Sequence, residues 1–267
     1  MAAQSYKRVG IIGFGQIGSS LYGQLSDDPG AGFQVAGILE TDQEAATKAP
    51  PDLLNKDLAG LLQKSPDLVV EAAHPQAVRS YACSVLQSCD LMIMSVSALG
   101  DQSLERDIQS ACRDSGHRLF IPHGATLGLD GLRDGLSIWE EVSITMRKNP
   151  RNLNFGAAPH LEPEASAAET VVYDGPTRGI LPLFPKNVNS HATLALATLG
   201  LDQTRSILIS DPGLDESVIE IDATGGGTKI HIERRNPIKG VTGKLTILSL
   251  YQSIQNAIGE PGIIIPC

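Results

Sequence analysis

The sequence predicts an α/β protein with a second, α+β domain. Three observations carry that reading. Short apolar runs alternate with helical patterns through the first half, a glycine-rich turn joins the first run to the first helix, and after about Leu127 strands follow one another with few helices between them.

Each element follows from its local pattern. Val9 to Gly13 is an apolar run that ends in glycine, and Ile17, Leu21 and Leu25 follow at helical spacing. Phe33–Leu39, Leu68–Ala73, Leu91–Met94 and Leu119–Ile121 read as further strands. Pro75 can open a helix at its first turn, with Val78, Tyr81, Ala82, Val85 and Leu86 on the buried face, and Asp101 to Ser115 reads as the next helix. These strands are too apolar for a sheet with one wet face, so a parallel sheet covered on both sides is expected. Beyond Leu127, Glu141–Arg147, Thr170–Tyr173, Arg205–Ser210, Val218–Asp222 and Thr228–Glu233 read as strands of an antiparallel sheet, interrupted by one helix over Asn187–Leu199. Ile247, Tyr251, Ile254 and Ile258 mark a closing amphipathic helix. The expected domains are 1–127, 128–240, and a segment 241–267 that packs back on the first.

Composition bounds the function. The 267 residues carry 21 Lys+Arg against 30 Asp+Glu, a net charge of −9, so no nucleic-acid partner is expected. A hydrophobic fraction of 42% argues against a disordered chain, and aromatics at 4% leave the core to aliphatic residues. No run approaches the roughly 18 apolar residues of a membrane span, and the start lacks a signal-peptide stretch. A cytoplasmic protein with no membrane partner is therefore expected. Cys83, Cys89, Cys112 and Cys267 form neither a CxxC pair nor a zinc spacing; they read as reduced thiols, and no metal site is expected.

Gly13-Phe14-Gly15-Gln16-Ile17-Gly18 is a GxGxxG in the context its mechanism needs, after a strand and opening a helix. The first glycine permits the tight turn, the second lets a pyrophosphate approach the backbone, and the third lets helix and strand pack closely. The helix N-terminus then offers free N–H groups to the phosphates. Gln16 and Ile17, which open that helix, are candidate cofactor contacts with the three glycines. Glu40 ends the second strand, where a carboxylate can accept hydrogen bonds from the adenosine ribose and repel a 2′-phosphate. This Rossmann pattern favours NAD, with NADP possible.

Three later segments are distinctive: Ile121-Pro122-His123-Gly124-Ala125-Thr126-Leu127-Gly128-Leu129-Asp130-Gly131-Leu132, Leu183-Phe184-Pro185-Lys186-Asn187-Val188-Asn189, and Glu71-Ala72-Ala73-His74-Pro75 with Ser95-Val96-Ser97-Ala98-Leu99. Together with Asp211-Pro212 and Asn236-Pro237 they resemble the L-aspartate dehydrogenase family, in order and over nearly the whole chain. The resemblance implies a Rossmann domain joined to an α+β dimerisation domain. It implies NAD(P)-dependent oxidative deamination of L-aspartate to iminoaspartate, which becomes oxaloacetate and ammonia and can feed NAD biosynthesis, in a homodimer. By motif position, the family's cofactor-contacting alanine and asparagine fall on Ala125 and Asn187. Microbial members carry a catalytic histidine shortly after the Asp-Pro segment; here Ile219 stands in its place, and isoleucine can exchange no proton.

The chemistry needs a group that titrates near neutrality, for which histidine is the default. His191 and His123 are the expected catalytic residues: His191 one helical turn beyond Asn187, His123 at the end of a strand. His74, in a loop between strand and helix, is a lesser candidate. A dicarboxylic amino acid also needs local cations. Arg147-Lys148, Lys186, and Arg234-Arg235 with Lys239 are the candidates, and Lys186, beside Asn187, is the expected substrate contact. The alternatives are a non-catalytic NAD(P)-binding dimer acting as redox sensor or scaffold, and an oxidoreductase resembling homoserine dehydrogenase or dihydrodipicolinate reductase.

Overall fold

A computed structural model describes residues 6–27, 32–164, 168–237 and 244–259. Lys239 and Cys267 lie outside them. The chain divides into two compact units: one holds the chain up to Gly124 with the segment from Ile247, the other Ala125–Thr246.

The first unit is built on six parallel strands: β1 (Lys7–Ile12), β2 (Phe33–Leu39), β3 (Leu54–Asn55), β4 (Leu68–Glu71), β5 (Asp90–Ile93) and β6 (Leu119–Phe120). Their order is β3-β2-β1-β4-β5-β6, so the sheet reverses direction between β1 and β4. Ligands of such sheets bind at the carboxyl ends of the strands beside that reversal. Every residue of β4 and β5 is buried, as expected of strands covered on both faces. The intervening helices are α1 (Gln16–Asp27), α2 (Gln43–Ala46), α3 (Leu58–Leu62), α4 (Pro75–Leu86) and α5 (Gln102–Ser115). Asp101 caps α5 by accepting from the Ser103 and Leu104 amides, and Gly116, at φ +76°, ends it.

The second unit comprises α6 (Leu129–Asp134), β7 (Glu141–Lys148), β8 (Thr170–Pro176), α7 (Thr177–Ile180), α8 (Asn189–Ala197), β9 (Arg205–Ser210), β10 (Glu216–Gly225) and β11 (Thr228–Pro237). The five-stranded sheet runs β11-β10-β7-β9-β8. It is mixed rather than antiparallel throughout, because β9 inserts between β7 and β8 and pairs with β7 in parallel. The β10–β11 hairpin closes on Gly226-Gly227, whose φ values of +55° and +78° suit a tight two-residue turn.

Alternation gives this sheet two unlike faces. Val142, Ile144 and Met146 of β7, Leu208 of β9, and Ile219, Ile221 and Ala223 of β10 are buried on one. The other carries ion pairs: Arg147 with Glu220 and Glu169, His231 with Asp222, Arg205 with Asp174, and Arg235 with Glu216 and Glu233. Helix α8 is buried over five consecutive residues, His191 to Ala195, so it lies inside its unit on every side.

The closing helix α9 (Lys244–Ile258) belongs to the first unit from Ile247 onward. Leu250 and Ile254 are fully buried in one apolar cluster with Val9, Leu21 and Val35, each contributing about 1.5–3 kcal/mol.

Candidate functional site

In the first unit the glycine turn follows β1 directly. Gly13 adopts φ +93°, and a side chain there would meet Ala73, at 2.7 Å. A side chain at Gly18 would run into the Gly13 carbonyl, whereas one at Gly15 would meet nothing within 4 Å. The turn is therefore closed where chain meets chain and open where a phosphate would approach the backbone. This geometry fits a dinucleotide at the N-terminus of α1. The Glu40 carboxylate accepts from the Phe14 amide in this turn and from the Asp42 amide at 2.8 Å. It is fixed at the tip of β2 with further lone pairs free for a ribose.

Glu71, at the tip of β4, is 1% exposed. It accepts from the Ala73 amide (2.9 Å), the Ser95 amide (3.0 Å) and the Ser95 hydroxyl (2.9 Å), tying together the turns that follow β4 and β5. Burial raises its pKa against the opposing pull of those bonds. His74 caps α4: its Nδ1 accepts from the Ala77 amide at 3.3 Å. His123 is half-buried in the loop after β6.

In the second unit the buried sheet face changes character at one end. Register places Ile219 opposite Met146 on one side and Arg234 on the other. One step along the same face stand Ser217, paired with Asn236, and Lys148, paired with Ser210. The row of aliphatic side chains thus gives way to Lys148, Ser210, Ser217, Arg234 and Asn236. His191 of α8, 0% exposed, is close enough for the Lys148 charge to act on it.

These groups are not satisfied by one another. Six buried side-chain polar atoms without a partner are found among the described residues, and five belong here: both ring nitrogens of His191, Ser217 Oγ, Arg234 Nε and Asn236 Oδ1. Buried polar groups almost always have partners, and each exception costs about 1–3 kcal/mol. Concentrated beside two cations, they describe a place prepared for an anionic, hydrogen-bonding ligand. Burial and the Lys148 charge push His191 down to about 3; burial and Arg234 push Lys148 down to about 8. Arg234 is lowered by burial but stays a cation.

The residues singled out by sequence fall unevenly. Asn187 lies before α8, not in it, because the helix begins at Asn189; it therefore shares no helix face with His191. Its side-chain Oδ1 accepts from the Asn154 backbone amide (2.8 Å) and its Nδ2 donates to the Asn152 carbonyl (3.0 Å), holding the 152–154 loop. Lys186 is exposed, and Ala125 is half-buried in the turn before Gly128. Gly128 adopts φ +70°, and a side chain there would strike Ile232, which accounts for the glycine in the Gly-Leu-Asp segment. The structure splits both paired cations: Arg147 and Arg235 meet carboxylates on one face, Lys148 and Arg234 occupy the other. Among the described residues, no group of His, Cys, Asp or Glu could hold a metal, and no helix is long and apolar enough to cross a membrane.

Comparison with known proteins gives this arrangement its relatives. A family model described as "Homoserine dehydrogenase, NAD binding domain" matches residues 13–122, and one described as "Aspartate dehydrogenase, C-terminal" matches residues 132–257. The chain is 33% identical to the L-aspartate dehydrogenase of Nitrosopumilus maritimus, over 93% of this chain and 96% of that protein. It is 31% identical to an aspartate dehydrogenase domain-containing protein of Xenopus tropicalis, over the full length of both. The chain belongs to the aspartate dehydrogenase family. The crystal structure of the Thermotoga maritima aspartate dehydrogenase shares the fold, with a TM-score of 0.77, 24% identity, and coverage of 98% of this chain and all of that one. The first unit is thus the family's NAD-binding domain, and the polar end of the second sheet lies wholly within the family's C-terminal region.

Proposed function

We propose that this protein is an NAD(P)-dependent L-aspartate dehydrogenase, converting L-aspartate to iminoaspartate, which water turns into oxaloacetate and ammonia. The observation that carries the reading is the set of buried, unpartnered polar atoms on His191, Ser217, Arg234 and Asn236, with the Lys148 amine beside them. It offers a permanent cation and several hydrogen-bonding groups to a substrate with two carboxylates, inside a protein whose overall charge of −9 would otherwise repel it. Arg234 can grip a carboxylate, in two-point fashion where geometry allows. A neutral His191 donates one hydrogen bond and accepts another. When bound, the dinucleotide supplies the hydride acceptor. Gly15 leaves its pyrophosphate room against the backbone, and Glu40, at the ribose end, favours NAD over NADP. Assembly as a homodimer, a cytoplasmic setting and a place in NAD biosynthesis belong to the same reading.

The test is direct. Purified protein with NAD and L-aspartate should form reduced dinucleotide, faster than with L-glutamate or L-homoserine. A second reading, a dinucleotide-binding protein without turnover, rests on Ile219 in place of a histidine. Tight NAD binding with no turnover on any amino acid would favour it and sink the first.

A further inference from the structure

We infer that the Lys148 amine takes the proton from the ammonium of the amine substrate, the role that Ile219 leaves unfilled. The inference rests on the aspartate reading above and adds the residue that does the acid–base work.

Position is the first argument. Ile219 is flanked across the sheet by Met146 and Arg234. Lys148 is the next residue of β7 on that same face, diagonal to Ile219. Diagonal neighbours in a sheet stand about 7–8 Å apart, within reach of a long side chain. The lysine stem can therefore bring a nitrogen into the space beside Ile219.

Isolation from acids is the second. The carboxylates of the neighbouring strands point to the opposite face: Glu220 to Arg147, Asp222 to His231, Glu216 and Glu233 to Arg235. Asp211, just past β9, turns its carboxylate onto the Gly213 amide. Arg234 on β11 is the charged group acting on Lys148, and Lys148 in turn acts on His191 of α8. Neither stabilises an ammonium. A lysine so placed holds its proton loosely, near pH 8.

Elimination is the third. Arg234 cannot release a proton in water. His191 binds one too weakly, at about 3, to draw it from an ammonium at neutral pH. Lys148 lies between these extremes, and environments that spread titrating groups apart in this way separate acid–base roles. In the step itself, one N–H bond of the substrate ammonium breaks and a new one forms at Lys148 Nζ. The freed electron pair stays on the substrate nitrogen. It becomes the second bond of C=N as hydride leaves Cα for the oxidised nicotinamide, which is thereby reduced.

Three measurements test this. In K148R, which keeps the charge, turnover of L-aspartate should fall by about 10²–10⁴-fold, while succinate affinity changes less than fivefold and the melting temperature little. In K148A, added methylamine or ethylamine should restore part of the rate, in proportion to the free-base concentration. Succinate binding to the unaltered protein near pH 8.5, followed by calorimetry in buffers of different ionisation enthalpy, should take up about half to one proton. K148R should take up none. Full turnover in K148R, or no rescue of a folded K148A, overturns the proposal. If the unaltered protein turns over no aspartate yet takes up the proton that K148R does not, the substrate reading falls and Lys148 remains the exchanging group. Equal proton uptake in both proteins removes Lys148 whatever the substrate.

Discussion

The two units prepare for their ligands by opposite means. The turn after β1 is made of backbone: glycines shape it, and Glu40 steadies it by a hydrogen bond from the Phe14 amide. The polar end of the second sheet is made of side chains from separate elements, brought together by strand register and left without partners. A backbone site costs nothing to keep in the absence of ligand, because its amides stay solvated until a phosphate replaces water. A buried side-chain site carries a standing penalty, of the order of 1–3 kcal/mol per unpaired group. The first kind of site should therefore fail by steric obstruction, the second by trading function for stability.

The largest expected effect is at the turn. Gly18→Ala drives a methyl group into the Gly13 carbonyl and should destabilise the first unit by about 3 kcal/mol, abolishing NAD binding, as read by thermal unfolding and dinucleotide titration. In Gly15→Val the new side chain starts into open space. The melting temperature should hold while NAD affinity falls at least tenfold. A loss of stability there would show that the open space is structural.

The second unit should behave in the reverse sense. His191→Leu removes two unpaired buried nitrogens and should stabilise the protein by about 1–3 kcal/mol while weakening succinate binding. The pH dependence follows the same logic. The folded-state pKa of about 3 lies below the ordinary 6.5, so between these values the unfolded chain binds more protons. Stability should then fall as pH drops through that window, by at most about 1.4 kcal/mol per pH unit. Denaturant unfolding at a series of pH values should show this slope in the unaltered protein and a shallower one in His191→Leu. The smallest effect is expected at Glu40. Its replacement by alanine should shift preference from NAD towards NADP several-fold, measured as a ratio of kcat/KM values, because a repulsive charge is removed without adding an attractive one.

How much of this was legible in sequence follows the same division. The glycine turn, Glu40 and the alternation of apolar runs with helices are local, so the order of the first unit could be read directly. The two-residue β3 and the short α3 carry too little pattern to be seen, and the parallel insertion of β9 is a long-range choice that leaves no local mark. The second site was half visible. Arg147-Lys148 and Arg234-Arg235 are legible as cations, but adjacent strand residues face opposite ways, and sequence proximity to Asn187 points to the exposed Lys186 instead. The alternation of Ile230 and Ile232 that turns His231 outward, carried on by two residues, turns Arg234 inward. Val142, Ile144 and Met146 do the same for Lys148. The burial of His191 was not readable, since the apolar and polar residues of α8 single out no one face.

On the proposed function, the unpartnered polar end of the second sheet, rather than the exposed cation at Lys186, receives the dicarboxylate. Calorimetric titration of succinate into the unaltered protein, Arg234→Met and Lys186→Met distinguishes the two positions. One succinate per chain is expected, with affinity reduced at least tenfold in Arg234→Met and unchanged in Lys186→Met. Undiminished binding in Arg234→Met, with loss in Lys186→Met, would contradict it.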